Sequence, residues 1–341
     1  MMAVVKANAY GHGAIEVARA LESFGCAFFG VAIPEEGKQL RDAGVTRPIA
    51  VLGGIFPDQA PDIVEHNLTP VVFDLAAARA LDEAAGRRGV VLAVHVKLDT
   101  GMGRLGILPE EAVPFFSELK GLENLRVEAL LSHFAESEAE EKEFSHRQLS
   151  AFLKAAEEIR GLGVNPKLLE MANSAALVDF ERSVLGMVRP GIMLYGSYPA
   201  PRLRESIKLK PVMQLKTRIL LVKSVPAGFT VSYGRRFTTN RPSLIATLPI
   251  GYADGLPRKL GNSGEVLIGG YRAKIAGTVC MDLTMVDVTG VPGVKAGDEA
   301  VLIGTQGNET ITAEEIADKA DTISYEIFCR LSARVPRVYI R

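Results

Sequence analysis

Over roughly the first two hundred residues, short apolar runs rich in β-branched side chains alternate with longer segments whose apolar positions recur every three to four residues. The short runs are Ala3–Lys6, Ala27–Val31, Pro48–Leu52, Leu68–Val72, Val91–Leu98, Val127–Leu131, Lys167–Met171 and Met187–Pro190. Between them Ile15–Ser23, Glu35–Asp42, Ala76–Gly86, Glu110–Leu119 and Ser145–Gly161 carry helical spacing. Eight strands with helices between them predict a (β/α)8 barrel, although a doubly wound parallel sheet would leave the same pattern. After Pro199-Ala200-Pro201 the period changes to alternation: Met213–Val222, Leu244–Pro249, Glu265–Ile268, Arg272–Ala276, Thr284–Val288, Glu299–Ile303 and Val335–Ile340. Turn residues separate these runs and Ala313–Ala320 is the one helical stretch, which predicts an antiparallel β domain. The expected domains are therefore 1–200 and 201–341.

Composition narrows what the two domains do. The 39 Lys and Arg against 40 Asp and Glu give a formal charge of −1, without the basic footprint of a nucleic-acid binder. Hydrophobic residues make up 48% of the chain, but no run approaches the length of about 18 apolar residues needed to cross a membrane. Cys26, Cys280 and Cys329 are too scattered for a disulfide framework or a zinc site, so no metal is expected and a reducing cytoplasm fits best. The ligand class left is a small molecule.

Several polar residues fall where barrels place chemistry, at the carboxyl ends of strands. Lys6 closes the first apolar run, in a low-dielectric mouth that would depress its pKa and suit it to Schiff-base chemistry. His133 follows the sixth run; without a second histidine at ligand spacing it reads as a structural hydrogen-bonding group. Asn173-Ser174 and Arg189-Pro190-Gly191-Ile192 follow the last two runs. There a capping hydroxyl and a closely approaching backbone would make a phosphate cup. Gly101-Met102-Gly103-Arg104-Leu105-Gly106 matches a dinucleotide fingerprint, yet it follows the fifth strand and Asp99 and Thr100 intervene, which weakens that reading.

Val-Val-Lys-Ala-Asn-Ala-Tyr-Gly-His-Gly around Lys6 closely resembles the cofactor-lysine motif of the alanine racemases, and further motifs of that family follow in order. They include Lys97 to Arg104, Leu-Leu-Ser-His at His133, Met-Ala-Asn-Ser at Asn173, Arg-Pro-Gly-Ile at Arg189, Val-Ser-Tyr-Gly at Tyr233, Gly-Tyr-Ala-Asp-Gly at Tyr252, Cys-Met-Asp at Met281 and Asp282, and Ser-Tyr-Glu at Tyr325. The resemblance implies pyridoxal 5'-phosphate bound as a Schiff base to Lys6, with Lys6 and Tyr233 as the two catalytic bases. It places the phosphate on Tyr10, Ser174, Gly191, Ile192 and Tyr325, beside Asn173, with His133 stacked on the pyridine ring. Arg189 would face the pyridine nitrogen and keep it unprotonated. Arg104 and Met281 would meet the substrate, Lys97, often carbamylated in the family, would hold Arg104, and Tyr252 and Asp282 would support the entrance. It further implies a cytoplasmic homodimer with shared active sites, racemising alanine to supply D-alanine for bacterial peptidoglycan. A barrel-only cofactor carrier and a decarboxylase of the same plan are the rivals. The β domain argues against the first, and Arg189 in place of a carboxylate against the second. Family members carry about thirty residues before the lysine strand, so an upstream start is expected.

Overall fold

The computed structural model describes residues 1–340 and divides into two compact units. The first comprises residues 1–9, 13–194 and 198–209, and the second residues 10–12, 195–197 and 210–341.

In the first unit seven parallel strands lie in sequence order: β1 Met2–Val4, β2 Phe28–Val31, β3 Ile49–Val51, β4 Thr69–Val72, β5 Leu92–Lys97, β6 Leu125–Leu131 and β7 Leu168–Glu170. The eighth expected strand, Met187–Pro190, is an extended segment and not a full strand. It bridges Glu170 through Met187, and its backbone is bonded on both sides. Met187 and Arg189 donate to Leu169 and Ala172, while Val188 and Pro190 accept from Met2 and Val4. That segment closes the barrel; Pro190 supplies no N–H, so regular pairing ends there. Inside, Met2, Phe28, Ala50 and Met187 pack together with Leu52 and Leu168 against them.

The helices begin and end where local chemistry directs. In Leu75–Arg88, Asp74 caps the start by accepting from Ala77 N at 2.8 Å, and Gly89 ends it at φ 65°. A cap of that kind is worth about 1 kcal/mol, Gly89 is at no cost in the left-handed region, and Arg87 and Arg88 face the negative end of the helix.

In the second unit the main sheet runs β17-β16-β13-β14-β15-β12-β9, where β9 is Leu221–Val225, β12 Ser243–Leu248, β13 Glu265–Ile268, β14 Tyr271–Ile275, β15 Thr284–Asp287, β16 Glu299–Gln306 and β17 Glu309–Ile311. The expected strand Met213–Val222 is two strands. Leu215–Arg218 pairs with β16 and Leu221–Val225 with β12. The switch occurs where Ile219 N donates to Asp298 O and Leu220 N to Thr247 O. Val335–Ile340, expected as a strand, is irregular; the Arg337 guanidinium gathers the carbonyls of Leu331, Ser332 and Val335, which folds the segment back on itself. A second helix that alternation did not predict, Ser324–Cys329, follows Ala313–Ala320. Its buried residues Ser324, Ile327 and Phe328 fall at helical spacing.

Among the described residues no helix is long and apolar enough to cross a membrane, and no cluster of His, Cys, Asp or Glu could hold a metal.

Candidate active site

Strand β1 ends at Val4, two residues before Lys6, and not at Lys6 as the apolar run suggests. Lys6–Tyr10 then makes a single helical turn of the wrong hand: Ala7, Asn8, Ala9 and Tyr10 have φ of 52°, 55°, 53° and 51°. At about 1–2 kcal/mol per residue, such a turn costs on the order of 4–8 kcal/mol, comparable to the whole stability of a domain. The surroundings therefore have to hold it. Asn8 Oδ1 accepts from Ala14 N at 2.8 Å, Asn8 O accepts from Gly13 N at 2.9 Å, and Ala9 N donates to Val5 O at 2.8 Å. The Glu36 carboxylate accepts from Ala7 N at 2.6 Å.

Around this turn the barrel mouth gathers positive charge. Lys97, the last residue of β5, is only 6% exposed; burial first, then the charges of Arg104 and Arg189, bring its pKa down to about 8. His133 is pushed well below its ordinary value by burial and by the same cations, Arg189, Lys97, Arg104 and Lys6, so its ring is neutral. Lys97 and Arg104 meet as like charges. An unmodified lysine therefore cannot hold the arginine in the way the family resemblance implies.

The glycine-rich loop is not a dinucleotide cradle. The amides of Gly101, Met102, Gly103 and Arg104 all point at the Asp99 carboxylate, at 3.0, 2.8, 3.1 and 3.1 Å. Burial would raise the Asp99 pKa, but these four donors lower it. The nest is filled by the chain's own anion, and its glycines at φ 127° and 68° permit the loop.

Arg189 is 5% exposed and has a buried counter-ion that sequence inspection missed. Its guanidinium lies 3.0 Å from Glu170 Oε2 and donates to Ser132 O. The other Glu170 oxygen is 3.2 Å from His95 Nδ1, and His95 Nε2 is 3.5 Å from Glu128, close enough for ion pairs but off the hydrogen-bond axis. Burial alone would lower the His95 pKa, yet the two carboxylates raise it. Burial would raise that of Glu170, yet His95 and Arg189 lower it. With His95 charged, two anions and two cations balance. The signal in the sequence is a charged residue inside an apolar run, at Val94-His95-Val96 and Leu169-Glu170-Met171.

Ser174 does not cap its helix, contrary to expectation. Asn173 does, accepting from Ala176 N at 3.1 Å, which leaves the Ser174 hydroxyl to accept from Gly191 N at 2.8 Å. The turns after β7 and after the closing segment are thereby joined, with Ile192 buried beside Gly191. The Ser174 hydroxyl and the Gly191 amide are thus bonded to each other at the mouth.

Within the second unit, the Tyr10 ring packs tilted against Tyr195, with centroids 5.0 Å apart, and lies 5.9 Å from Tyr325. Burial, reinforced by Tyr325, raises the Tyr10 pKa, so its hydroxyl stays protonated. Tyr233 is 73% exposed, and it sits between two residues in the left-handed region, Ser232 at φ 66° and Gly234 at 71°. Its carbonyl accepts from Thr278 Oγ1 at 3.0 Å and Ser232 Oγ donates to Thr278 O at 2.6 Å, so backbone contacts fix the tyrosine while the ring projects. Tyr252 and Met281 lie on loops tied together: Tyr252 N donates to Cys280 O and Ala253 N to Met281 O, each at 3.0 Å. Gly251 permits that approach, since a Cβ there would lie 2.3 Å from Met281 O. Asp282 pairs with Arg334 at 2.7 Å, and Arg334 also pairs with Asp254.

The family model "Alanine racemase, N-terminal domain" matches residues 1–199, and "Alanine racemase, C-terminal domain" matches residues 212–339. The alanine racemase of Halothermothrix orenii is 49% identical over 339 residues, covering 99% of this chain and 89% of that protein. The solved alanine racemase of Clostridium difficile 630 superposes with a TM-score of 0.94 at 39% identity, covering 99% of this chain and 88% of that one. That of Streptomyces lavendulae gives 0.95 at 36% identity, covering 100% and 90%.

Proposed function

The chain belongs to the alanine racemases, pyridoxal-phosphate-dependent isomerases, and we propose that it interconverts L- and D-alanine with Lys6 and Tyr233 as opposed bases. The observation that carries the reading is the gathering of cationic side chains at the barrel mouth, which adds to burial in lowering the pKa values of Lys97 and His133. The charges of Arg104, Arg189 and Lys6 all bear on Lys97, and Arg189 has Glu170 as its counter-ion. A ligand bearing a phosphate and a carboxylate relieves that repulsion.

The residues fit pyridoxal 5'-phosphate: an amine, a neutral imidazole, a buried guanidinium, and a hydroxyl beside a glycine amide. When bound, this cofactor supplies an aldehyde that takes up amino groups and a conjugated ring that draws electrons from the substrate Cα–H bond. Lys6 Nζ would anchor the cofactor and, as a free amine, would exchange a proton with the substrate Cα on one face. The phenolic oxygen of the partner subunit's Tyr233 serves the other face. Two bases are required because one base returning its proton to the side it came from leaves the configuration unchanged. The Arg189 guanidinium would face the pyridine nitrogen and keep it unprotonated, which favours return of the proton to Cα over loss of the amino group. Ser174 with the amides of Gly191 and Ile192 binds the phosphate, and Tyr10 and Tyr325 add hydroxyls; Asn173 orders that turn and His133 stacks on the ring. Arg104 and the Met281 backbone hold the alanine carboxylate, and Lys97, once carbamylated, supports Arg104. Tyr252 and Asp282 line the entrance. We place the enzyme in the cytoplasm as a homodimer supplying D-alanine for peptidoglycan.

Borohydride reduction of the protein loaded with the cofactor, followed by peptide mass mapping, is expected to label Lys6. A label on Lys97 or Lys223 would refute the assignment, and a comparison of L-alanine, L-serine and L-lysine turnover fixes the substrate.

A further inference from the structure

Glu36 stands in the first turn of the helix Pro34–Asp42, half-buried at the end of β2. One carboxylate oxygen accepts from Ala32 N at 2.7 Å. That contact has an ordinary explanation, since an acid at the third helical position commonly reaches back to the amides before the helix. The other oxygen does something a helix start does not require. It leaves the helix and accepts at 2.6 Å from Ala7 N, twenty-nine residues earlier in the chain. Strands β1 and β2 are neighbours, paired through Val4 and Gly30, so Ala7 and Ala32 each stand just past the end of one of two adjacent strands. One carboxylate therefore clasps both at the rim.

The position of the clasped amide matters. Ala7 N belongs to the peptide plane that begins at the Lys6 carbonyl carbon, and fixing that N–H fixes the ψ angle of Lys6. Ala7 is also the first of the four left-handed residues. The first amides of a helical turn have no acceptor within it, whatever its hand. The Glu36 carboxylate supplies that acceptor at the leading end of the turn and so opposes its relaxation toward the favoured hand.

We propose that Glu36 is a positioning residue for Lys6: it clamps the leading amide of the left-handed turn and so aims the lysine amine. This deepens the proposed function and rests on Lys6 being the cofactor lysine. A misplacement of the order of 1 Å costs roughly a hundredfold in rate, and Glu36 touches neither substrate nor cofactor in this reading. The effect therefore belongs in kcat and not in KM.

Glu36→Gln tests it with little change of shape, because an amide offers one acceptor oxygen and turns an NH2 toward the second N–H donor. The expected result is a ten- to hundredfold fall in kcat with KM changed less than about threefold. Amide exchange over residues 5–13 should accelerate while the melting temperature stays near that of the parent. Glu36→Asp, which still offers two oxygens, should recover part of kcat, and exposed Glu35→Gln should change nothing. In the unmodified protein the Ala7 and Ala32 amides should exchange slowly; fast exchange there would overturn the clasp without recourse to any variant. A Glu36→Gln enzyme with kcat within twofold of the parent, or a loss carried wholly by KM, would overturn it too. Borohydride labelling of the parent protein separates the two readings. If Lys6 is not labelled, the proposed function falls and the inference with it; if Lys6 is labelled and Glu36→Gln is silent, only the clasp falls.

Discussion

The depressed Lys97 pKa has a chemical consequence that can be measured. A lysine with an ordinary pKa near 10.5 is about 0.03% neutral at pH 7, whereas one at about 8 is about 9% neutral, roughly 300 times more of the reactive amine. Neutral amine adds to carbon dioxide: the nitrogen lone pair forms a C–N bond, a proton is released, and a carbamate results. That step turns a cation repelled by Arg104 and Arg189 into an anion attracted to both. The field that lowers the amine pKa therefore also favours the product, and Arg104 gains the partner it lacks beside an unmodified lysine. Protein equilibrated with 13C-bicarbonate near pH 8 should show one carbamate carbon, lost on acidification and absent in Lys97→Gln. Carbon-dioxide-free enzyme should show a several-fold higher KM for alanine with kcat changed less, restored by bicarbonate. The free amine should leave its own mark: because the folded pKa lies below the unfolded value, the unfolded chain binds more protons between about pH 8 and 10.5. Stability in carbon-dioxide-free buffer should therefore rise with pH across that window relative to Lys97→Gln. No carbamate signal together with a bicarbonate-insensitive KM would refute the reasoning.

Three further outcomes are expected. Lys6→Ala and Tyr233→Phe enzymes should each be nearly inactive, and after subunit exchange the mixture should recover about a quarter of parental activity, the statistics of a two-fold dimer with shared sites; verified exchange with no recovery would exclude a tyrosine supplied in trans. Glu170→Gln removes the counter-ion of buried Arg189 and His95 and should cost about 3–5 kcal/mol in denaturant unfolding. The stability contributed by the His95 charge is fully present below its unfolded value near 6.5 and is lost as pH rises through the raised folded value. The gap between the parent and His95→Gln should accordingly narrow with rising pH, and a gap that widens would mean the histidine is neutral.

The fold was legible where one physical rule acts alone. Strands such as Leu125–Leu131 and helices such as Leu75–Arg88 follow from period and caps, and the change from barrel to β unit follows from the change of period. It failed where a long-range partner decides. Met213–Val222 reads as one apolar stretch, but which strand each half joins is set at Ile219 and Leu220 by Asp298 and Thr247, residues remote in sequence. Val335–Ile340 alternates well enough for a strand, yet the Arg337 guanidinium turns back to the carbonyl of Val335 and to those of Leu331 and Ser332 just before the segment.

The candidate site divides along the same line. Groups expected to touch a ligand sit in short motifs after strands, and those motifs can be read: Lys6, His133, Ser174 and Arg189. Groups that hold the first set in place come from other strands and helices, and no local spacing marks them. Glu170 lies on the strand preceding Arg189, and His95 and Glu128 lie on two more. Buried without the others, each would be an unpaired charge costing several kcal/mol. Together they let a permanently ionised arginine stand inside the barrel with its charge balanced from behind. The strain at Lys6 and the charge at Arg189 are thus met in the same manner, by a glutamate reaching across from a neighbouring element. Glu36 makes a left-handed turn tenable and Glu170 a buried cation. Substituting either glutamate leaves the motifs intact in the sequence while removing the support on which their geometry depends.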